Sequence, residues 1–310
     1  MLQILVLGAG GIGGYFGGRL AEAGVDTTFL VRPKRREQIA RDGLVIESPH
    51  GNARIEAKTV LAGDVKPDYD VVLFTCKAYD LDSAMGAVAP AMTGRAVLVP
   101  MLNGISHLER LDQRFGAANV MGGVAQINAT LRRDGVVVNG DKLHRIIFGE
   151  RDTRATPRAQ ALADAFARTK VEWKLSPDIM QDMWEKIVFL SALAAGTCLF
   201  RANVGEINSA PGGSDAMRQL LDANEKIAAA EGFAPRAQPM QAFRERLTDT
   251  KGNWSASMLR DLEGGGQVEA DHIVGFMLER ARRHGIEATV LSLAYSHLKA
   301  YEARRAAGRL

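Results

Sequence analysis

The strongest constraint on this chain lies in its first two dozen residues. An apolar run, Gln3–Leu7 (QILVL), passes directly into Gly8-Ala9-Gly10-Gly11-Ile12-Gly13, with Gly17 beyond. A run apolar throughout suits a strand covered on both faces. The glycines follow the G-x-G-x-x-G pattern, with a strand before, a helix expected over 11–23 and a second strand, Thr27–Val31, twenty residues on. In that setting Gly8 permits the tight turn, Gly10 lets the backbone approach a pyrophosphate, and Gly13 lets the helix pack close to the sheet. The free N–H groups at the helix start, from Gly11 and Ile12 onward, then face the phosphate charge. A dinucleotide site at Gly8, Gly10, Gly11, Ile12 and Gly13 is the expectation.

The end of the second strand separates the two nicotinamide cofactors. An NAD site places Asp or Glu there to accept from the ribose 2′-hydroxyl. This chain reads Leu30-Val31-Arg32-Pro33-Lys34-Arg35-Arg36. A guanidinium at Arg32 suits a 2′-phosphate, because its planar fork matches phosphate oxygens. NADP(H) is therefore expected; Lys34, Arg35 or Arg36 could assist Arg32, though most of them read as a solvated helix start. Further strands at Val71–Thr75 and Ala96–Pro100 bring Lys77 and Asn103 to carboxyl ends, where ligands bind in parallel sheets.

The alternation of strands and helices persists to about residue 119, implying a parallel sheet with right-handed crossovers. Leu44–Glu47 and Ala53–Ala57 read as a hairpin. Residues 120–149 are β-rich and are expected to add antiparallel strands to the edge of that sheet, with Val171–Leu175 a last short strand. After Ser176-Pro177-Asp178, a break and helix start, only helices are expected: 179–201, 215–231, 239–246, 267–284 and 289–305. The fold class is thus α/β, a Rossmann-type N-terminal domain (residues 1–176) followed by an all-helical C-terminal domain (177–310).

Bulk properties narrow the function classes. The 310 residues carry 39 basic and 36 acidic side chains, a net charge of +3, so no nucleic-acid-binding surface is indicated. Cys76 and Cys198 are far apart in apolar surroundings, with no cluster at metal-ligand spacing, so both read as reduced core thiols and no metal is expected. The longest apolar run, 187–200, falls short of the roughly 20 residues that span a bilayer. The start MLQILVLGAGG goes straight into a strand without a cationic leader, so a cytoplasmic location is expected. The apolar helices after Pro177 suit a homodimer interface or simply a domain core.

Reduction of a carbonyl by hydride transfer needs a proton donor. Lys186, in Trp184-Glu185-Lys186, opens the apolar run IVFLSALAAGTCLF. Partial burial there would lower its pKa toward use as a general acid; a solvated helix flank is the plainer alternative. His272, three residues after Glu269, reads as solvated or capping, and His107, His144, His284 and His297 show no acidic partner at suggestive spacing.

Taken together these residues resemble the ketopantoate reductase (2-dehydropantoate 2-reductase) family, within the 6-phosphogluconate-dehydrogenase-like group. The resemblance spans the chain. It is carried by Gly8 to Gly17, Arg32, Lys77-Ala78-Tyr79-Asp80, Asn103-Gly104, Trp184-Glu185-Lys186, Ser255 to Asp261, and Glu269-Ala270-Asp271. It implies NADPH-dependent reduction of ketopantoate to pantoate, on the route to pantothenate. Lys186 would be the general acid and Glu269 would bind the substrate's hydroxyl end. Ser257 and Asn103 would help hold the substrate, and Lys77 and Asn103 would lie near the cofactor. Three departures bear on substrate. Leu190 and Ala194 stand where the family often has asparagines, Leu102 stands where it often has glutamine, and Gly264-Gly265-Gly266 loosens a stretch that is usually helical. Loss of two amides favours a branched or apolar 2-keto acid as the alternative substrate. A protein that binds NADPH without turnover is the alternative from another class.

Overall fold

The computed structural model describes residues 2–310. These form two compact units, residues 2–103 with 107–180, and residues 104–106 with 181–310. The division falls four residues beyond Ser176, in the first turn of a helix, and a three-residue piece after Asn103 groups with the second unit.

The first unit begins with β1 (Gln3–Leu7), α1 (Gly11–Glu22), β2 (Asp26–Leu30), α2 (Pro33–Asp42), β3 (Leu44–Glu47), β4 (Ala53–Ile55) and β5 (Lys58–Val60). It continues with β6 (Val71–Phe74), α3 (Leu81–Val88), β7 (Val97–Pro100), α4 (His107–Phe115), β8 (Gly122–Leu131), β9 (Val137–Gly149), α5 (Pro157–Ala167) and β10 (Glu172–Leu175). Five strands make a wholly parallel sheet in the order β5-β2-β1-β6-β7. The chain leaves β1 toward β2 on one side and later returns to β6 on the other. The end of β1 is therefore the switch point, where open α/β sheets bind ligands.

The β-rich stretch 120–149 does not extend that sheet, contrary to expectation. β8 and β9 pair antiparallel, from Gly122 opposite Gly149 to Leu131 opposite Val137. With β3, β4 and β10 they build a second sheet, ordered β10-β9-β3-β4 with β8 on β9. The reason lies in α1, which is buried from Gly13 to Leu20. A Cβ at Gly17 would lie 2.8 Å from both Phe29 and Val6 of the first sheet. One at Gly18 would lie 2.6 Å from Ile46, and one at Gly14 2.7 Å from Val137, both of the second. A helix bare of side chains on two faces is thin enough for a sheet on each side, and one core runs through all three layers.

The second unit is helical: α6 (Ile179–Phe200, its first two residues grouped with the first unit), α7 (Val204–Ser209), α8 (Gly213–Ala230), α9 (Ala237–Leu247), α10 (Ser257–Glu263), α11 (Phe276–Arg283) and α12 (Thr289–Ala306). α6 is long and apolar enough to cross a membrane by composition, but 72% of its apolar window is buried inside the protein. It packs on α8 so closely that a Cβ at Gly196 would meet the Met217 sulfur at 2.4 Å. The expected helix 267–284 starts late. After α10 the backbone turns at Gly264–Gly266, with Gly265 at φ +69°, and Asp271–Gly275 forms a π-helical turn before α11. Tyr295 and Lys299 hold the Asp271 carboxylate at 2.6 and 3.0 Å, and Gly275 sits against the Tyr295 ring. These ties fix the wider turn, a form that recurs at functional sites.

Candidate active site

In the first unit Gly8, Gly10, Arg32 and Lys77, four of the residues expected to hold a cofactor, line a cavity of about 520 Å³ at the carboxyl ends of β1, β2 and β6. Its wall includes Gly8, Gly10, Arg32, Arg35, Lys77 and Asp80. Gly8 is left-handed at φ +89°, which makes the turn out of β1. Thr75 donates to the Leu7 carbonyl at 2.6 Å and ties β6 to that turn. A Cβ at Gly13 would come within 2.3 Å of the Gly8 carbonyl oxygen, so α1 cannot sit here without glycine. A Cβ at Gly10 would meet no protein atom within 4 Å. Protein packing does not require a glycine there, whereas close approach of a ligand to the backbone does. Gly11 and Ile12 with Gly13 form the first turn of α1, whose N–H groups have no intrahelical acceptors; they lie behind the cavity wall, and Gly11 backs onto the Ala129 carbonyl.

The basic cluster after β2 divides into different roles. Arg32, at the N-cap of α2, is largely exposed and sits 3.3 Å from Asp80, which belongs to the turn after β6. Exposed pairs of this kind contribute little, so a phosphate can displace the carboxylate. Arg35 is not part of a solvated helix start. It turns inward, donates to the Ala9 carbonyl at 3.2 Å and the Gly135 carbonyl at 2.9 Å, and so braces the glycine turn. Burial holds its guanidinium below the usual arginine range. Its position three residues after Arg32, on the same helical face, was the signal available in the sequence. Lys77 caps the turn Ala78–Asp80 and lines the cavity; Cys76, expected in the core, lines it too. Asn103 sits in a partly buried bend after β7 and is not part of this wall. Cys198 is buried as expected, and its thiol is pushed up to about 12.

The second unit brings Lys186 and Glu269 together. Lys186 is partly buried near the start of α6, and loss of water pushes its pKa down to about 8, while the Glu269 carboxylate opposes the shift by favouring the ammonium. Glu269 is itself buried, two residues before the π-helical turn. Glu185, the residue before Lys186, is locked by Arg236, whose Nε and Nη2 donate at 2.7 and 2.6 Å, and this fixes the first turns of α6. Ser257 opens α10, and the Ala256 N–H before it donates to Thr197 Oγ1 of α6 at 3.4 Å. Leu190 and Ala194, four and eight residues past Lys186, continue its helical face as apolar side chains. His272 is neither solvated nor a cap: its Nδ1 bonds the Ser106 hydroxyl at 2.5 Å, and its ring packs against Gly104. His284 does have an acidic partner, Glu231 at 2.8 Å, from a helix 53 residues away in sequence. Among the described residues no group of three metal-ligating side chains comes together.

The first unit thus carries a cavity beside the glycine turn, and the second carries a lysine of lowered pKa near a buried carboxylate. Family models match both units. Residues 4–153 match the N-terminal model "Ketopantoate reductase PanE/ApbA", and residues 178–302 match its C-terminal counterpart. This chain belongs to the ketopantoate reductase family. Among its relatives is "Uncharacterized oxidoreductase YkpB" of Bacillus subtilis, 38% identical over 98% of this chain and 100% of that one. A crystal structure of 2-dehydropantoate 2-reductase from Geobacter metallireducens superposes with a TM-score of 0.88 at 27% identity, covering 96% of this chain and 99% of that one. The ternary structure of D-mandelate dehydrogenase with NADH and anilino(oxo)acetate shares the fold, at a TM-score of 0.86 and 19% identity over 98% and 99% of the two chains. The chain is thus an oxidoreductase of this family, with its Rossmann-type first unit and helical second unit.

Proposed function

We propose that this protein reduces a 2-keto acid to the 2-hydroxy acid with NADPH, 2-dehydropantoate being the first substrate to test. The observation that carries the reading is Lys186, whose pKa of about 8 keeps it protonated at neutral pH yet ready to release the proton. When bound, NADPH supplies the hydride that reduces the keto carbon. Lys186 delivers the proton to the carbonyl oxygen, so that keto acid, NADPH and one proton become hydroxy acid and NADP⁺. Gly8 and Gly10 would admit the pyrophosphate, Arg32 would take the 2′-phosphate, and Lys77 would contact the cofactor from the same cavity wall. Ser257, Asn103 and Glu269 hold the substrate's polar groups.

A second reading concerns the substrate alone. Leu190 and Ala194 present hydrocarbon where amides would recognise a polar side chain, which favours a 2-keto acid with a branched or apolar side chain. One experiment separates these readings: NADPH oxidation followed by absorbance with a panel of 2-keto acids, for the wild type and Lys186→Ala. Turnover of 2-dehydropantoate that falls at least about a hundredfold in the variant supports the first reading. Turnover of apolar 2-keto acids alone supports the second. NADPH binding without turnover of any of them would leave a non-catalytic, NADPH-binding protein.

A further inference from the structure

Helix α9 carries two arginines whose surroundings differ sharply. Arg244 is neutralised, with one nitrogen on Asp222 and another on Glu225, each at 2.6 Å. Arg246, about 200° further round the helix, has no carboxylate partner among the described residues. Its guanidinium carbon lies 3.9 Å from the centre of the Trp254 ring and 5.1 Å from that of Phe189. The rings are themselves fixed. Phe189 packs on Phe243 with centroids 5.0 Å apart, and the Trp254 indole nitrogen sits against Gly252. Stacking orients a guanidinium while leaving its N–H edge available, and contributes attraction of its own.

The location matters as much as the charge. Phe189 is one helical turn past Lys186, and Trp254 is three residues before Ser257. The segment bearing Trp254 and Ser257 is tied to α6 at two heights, through Phe189 with ring centroids 6.5 Å apart and through Thr197. An uncompensated cation therefore stands beside the very stretch of α6 that carries the proton donor. The rings take away part of its hydration, which holds this guanidinium below the usual arginine range, while the residue as a whole stays exposed to solvent and open to a ligand. An anion is the group that completes such a site, and each 2-keto acid has one carboxylate that Lys186, Glu269 and Ser257 leave without a dedicated cation.

We propose that Arg246, held on Trp254 and Phe189, is the anchor for the substrate's carboxylate. The assignment rests on the 2-keto acid reading above and gives Arg246 a role in binding rather than in proton transfer. The test uses Arg246→Met, which keeps the stem on the rings, and Arg246→Lys, with each 2-keto acid compared against its uncharged methyl ester. In Arg246→Met the KM for the acid should rise about tenfold or more, with Arg246→Lys intermediate. kcat, the KM for NADPH and the constants for the ester should stay near wild type. Equal losses for acid and ester, or an unchanged KM for the acid, would overturn the proposal.

Binding is measured separately from turnover, through quenching of tryptophan fluorescence by the 2-keto acid in the presence of NADP⁺. If the wild type turns over none of the acids, the reductase reading fails. The titration then decides Arg246 on its own. Quenching lost in Arg246→Met supports the anchor, while equal quenching in both proteins, or none in either, rejects it.

Discussion

At the scale of single residues the proposed chemistry turns on how two opposing effects set the charge of Lys186. Desolvation favours the neutral amine and wins, bringing the group to about 8, while Glu269 pulls the other way. Reduction requires the ammonium, so the rate should hold at neutral pH and decline above about pH 8, approaching a tenfold loss per unit. Removing the opposing carboxylate gives a signed prediction. In Glu269→Gln the ammonium loses its stabilising partner, its pKa drops further, and the descending limb of kcat against pH moves to lower pH. A shift upward, or an unmoved limb, would show that Glu269 does not act on Lys186. Because Glu269 is also proposed to touch substrate, KM should rise as well; the position of the limb is the readout that a binding role alone would leave in place.

At the scale of elements, the glycines of α1 do two different jobs, and two substitutions separate them. Alanine at Gly17 gains helix propensity of about 1 kcal/mol. It also puts a methyl 2.8 Å from Phe29 and Val6, both buried and unable to retreat. Overpacking of that kind costs about 1–3 kcal/mol, so Gly17→Ala should lower the unfolding midpoint in urea. Gly10→Ala meets no protein atom and needs no left-handed backbone, so stability should stay within about 0.5 kcal/mol of wild type. NADPH binding should instead weaken about tenfold or more, a loss of about 1.4 kcal/mol. A Gly10→Ala protein that binds NADPH normally would remove the ligand from that side of the turn. This division of labour was legible in part from sequence. Strand, glycine turn and helix over residues 3–22 are local, and local pattern showed them. The second sheet was not legible, because alternation marks β8 and β9 as strands without saying that β3, some ninety residues earlier, is a neighbour. The π-helical turn depends on Tyr295 and Lys299 reaching back to Asp271, and the Arg246 stack on rings from α6 and from the segment before α10. Such contacts between distant segments leave no periodic trace. Lys186 was legible in part, as the lysine that opens an apolar helix, and Glu269 only as a member of a family pattern, since the burial that sets the lysine's pKa is a property of the folded unit.

At the scale of the whole molecule, the cofactor cavity belongs to the first unit alone, which makes ligand linkage a probe of cofactor identity and of domain behaviour together. A ligand that binds only the folded form adds about 2.7 kcal/mol at a hundred times its dissociation constant. For a unit of this size that is a rise of about 5–10 °C in the midpoint. NADPH should therefore raise the thermal transition of the first unit more than NADH does at equal concentration. The margin should disappear in Arg32→Ala, because the guanidinium proposed to answer the 2′-phosphate is gone while the glycine turn is intact. If Arg32→Ala lowers the NADPH and NADH shifts equally, the arginine is part of the general cavity wall and the cofactor preference has another origin. Calorimetry reads one thing more from the same samples. Two transitions, of which NADPH moves only one, mean that the unit carrying Lys186 unfolds on its own; a single transition that moves as a whole means that cofactor binding in one unit is felt in the stability of both.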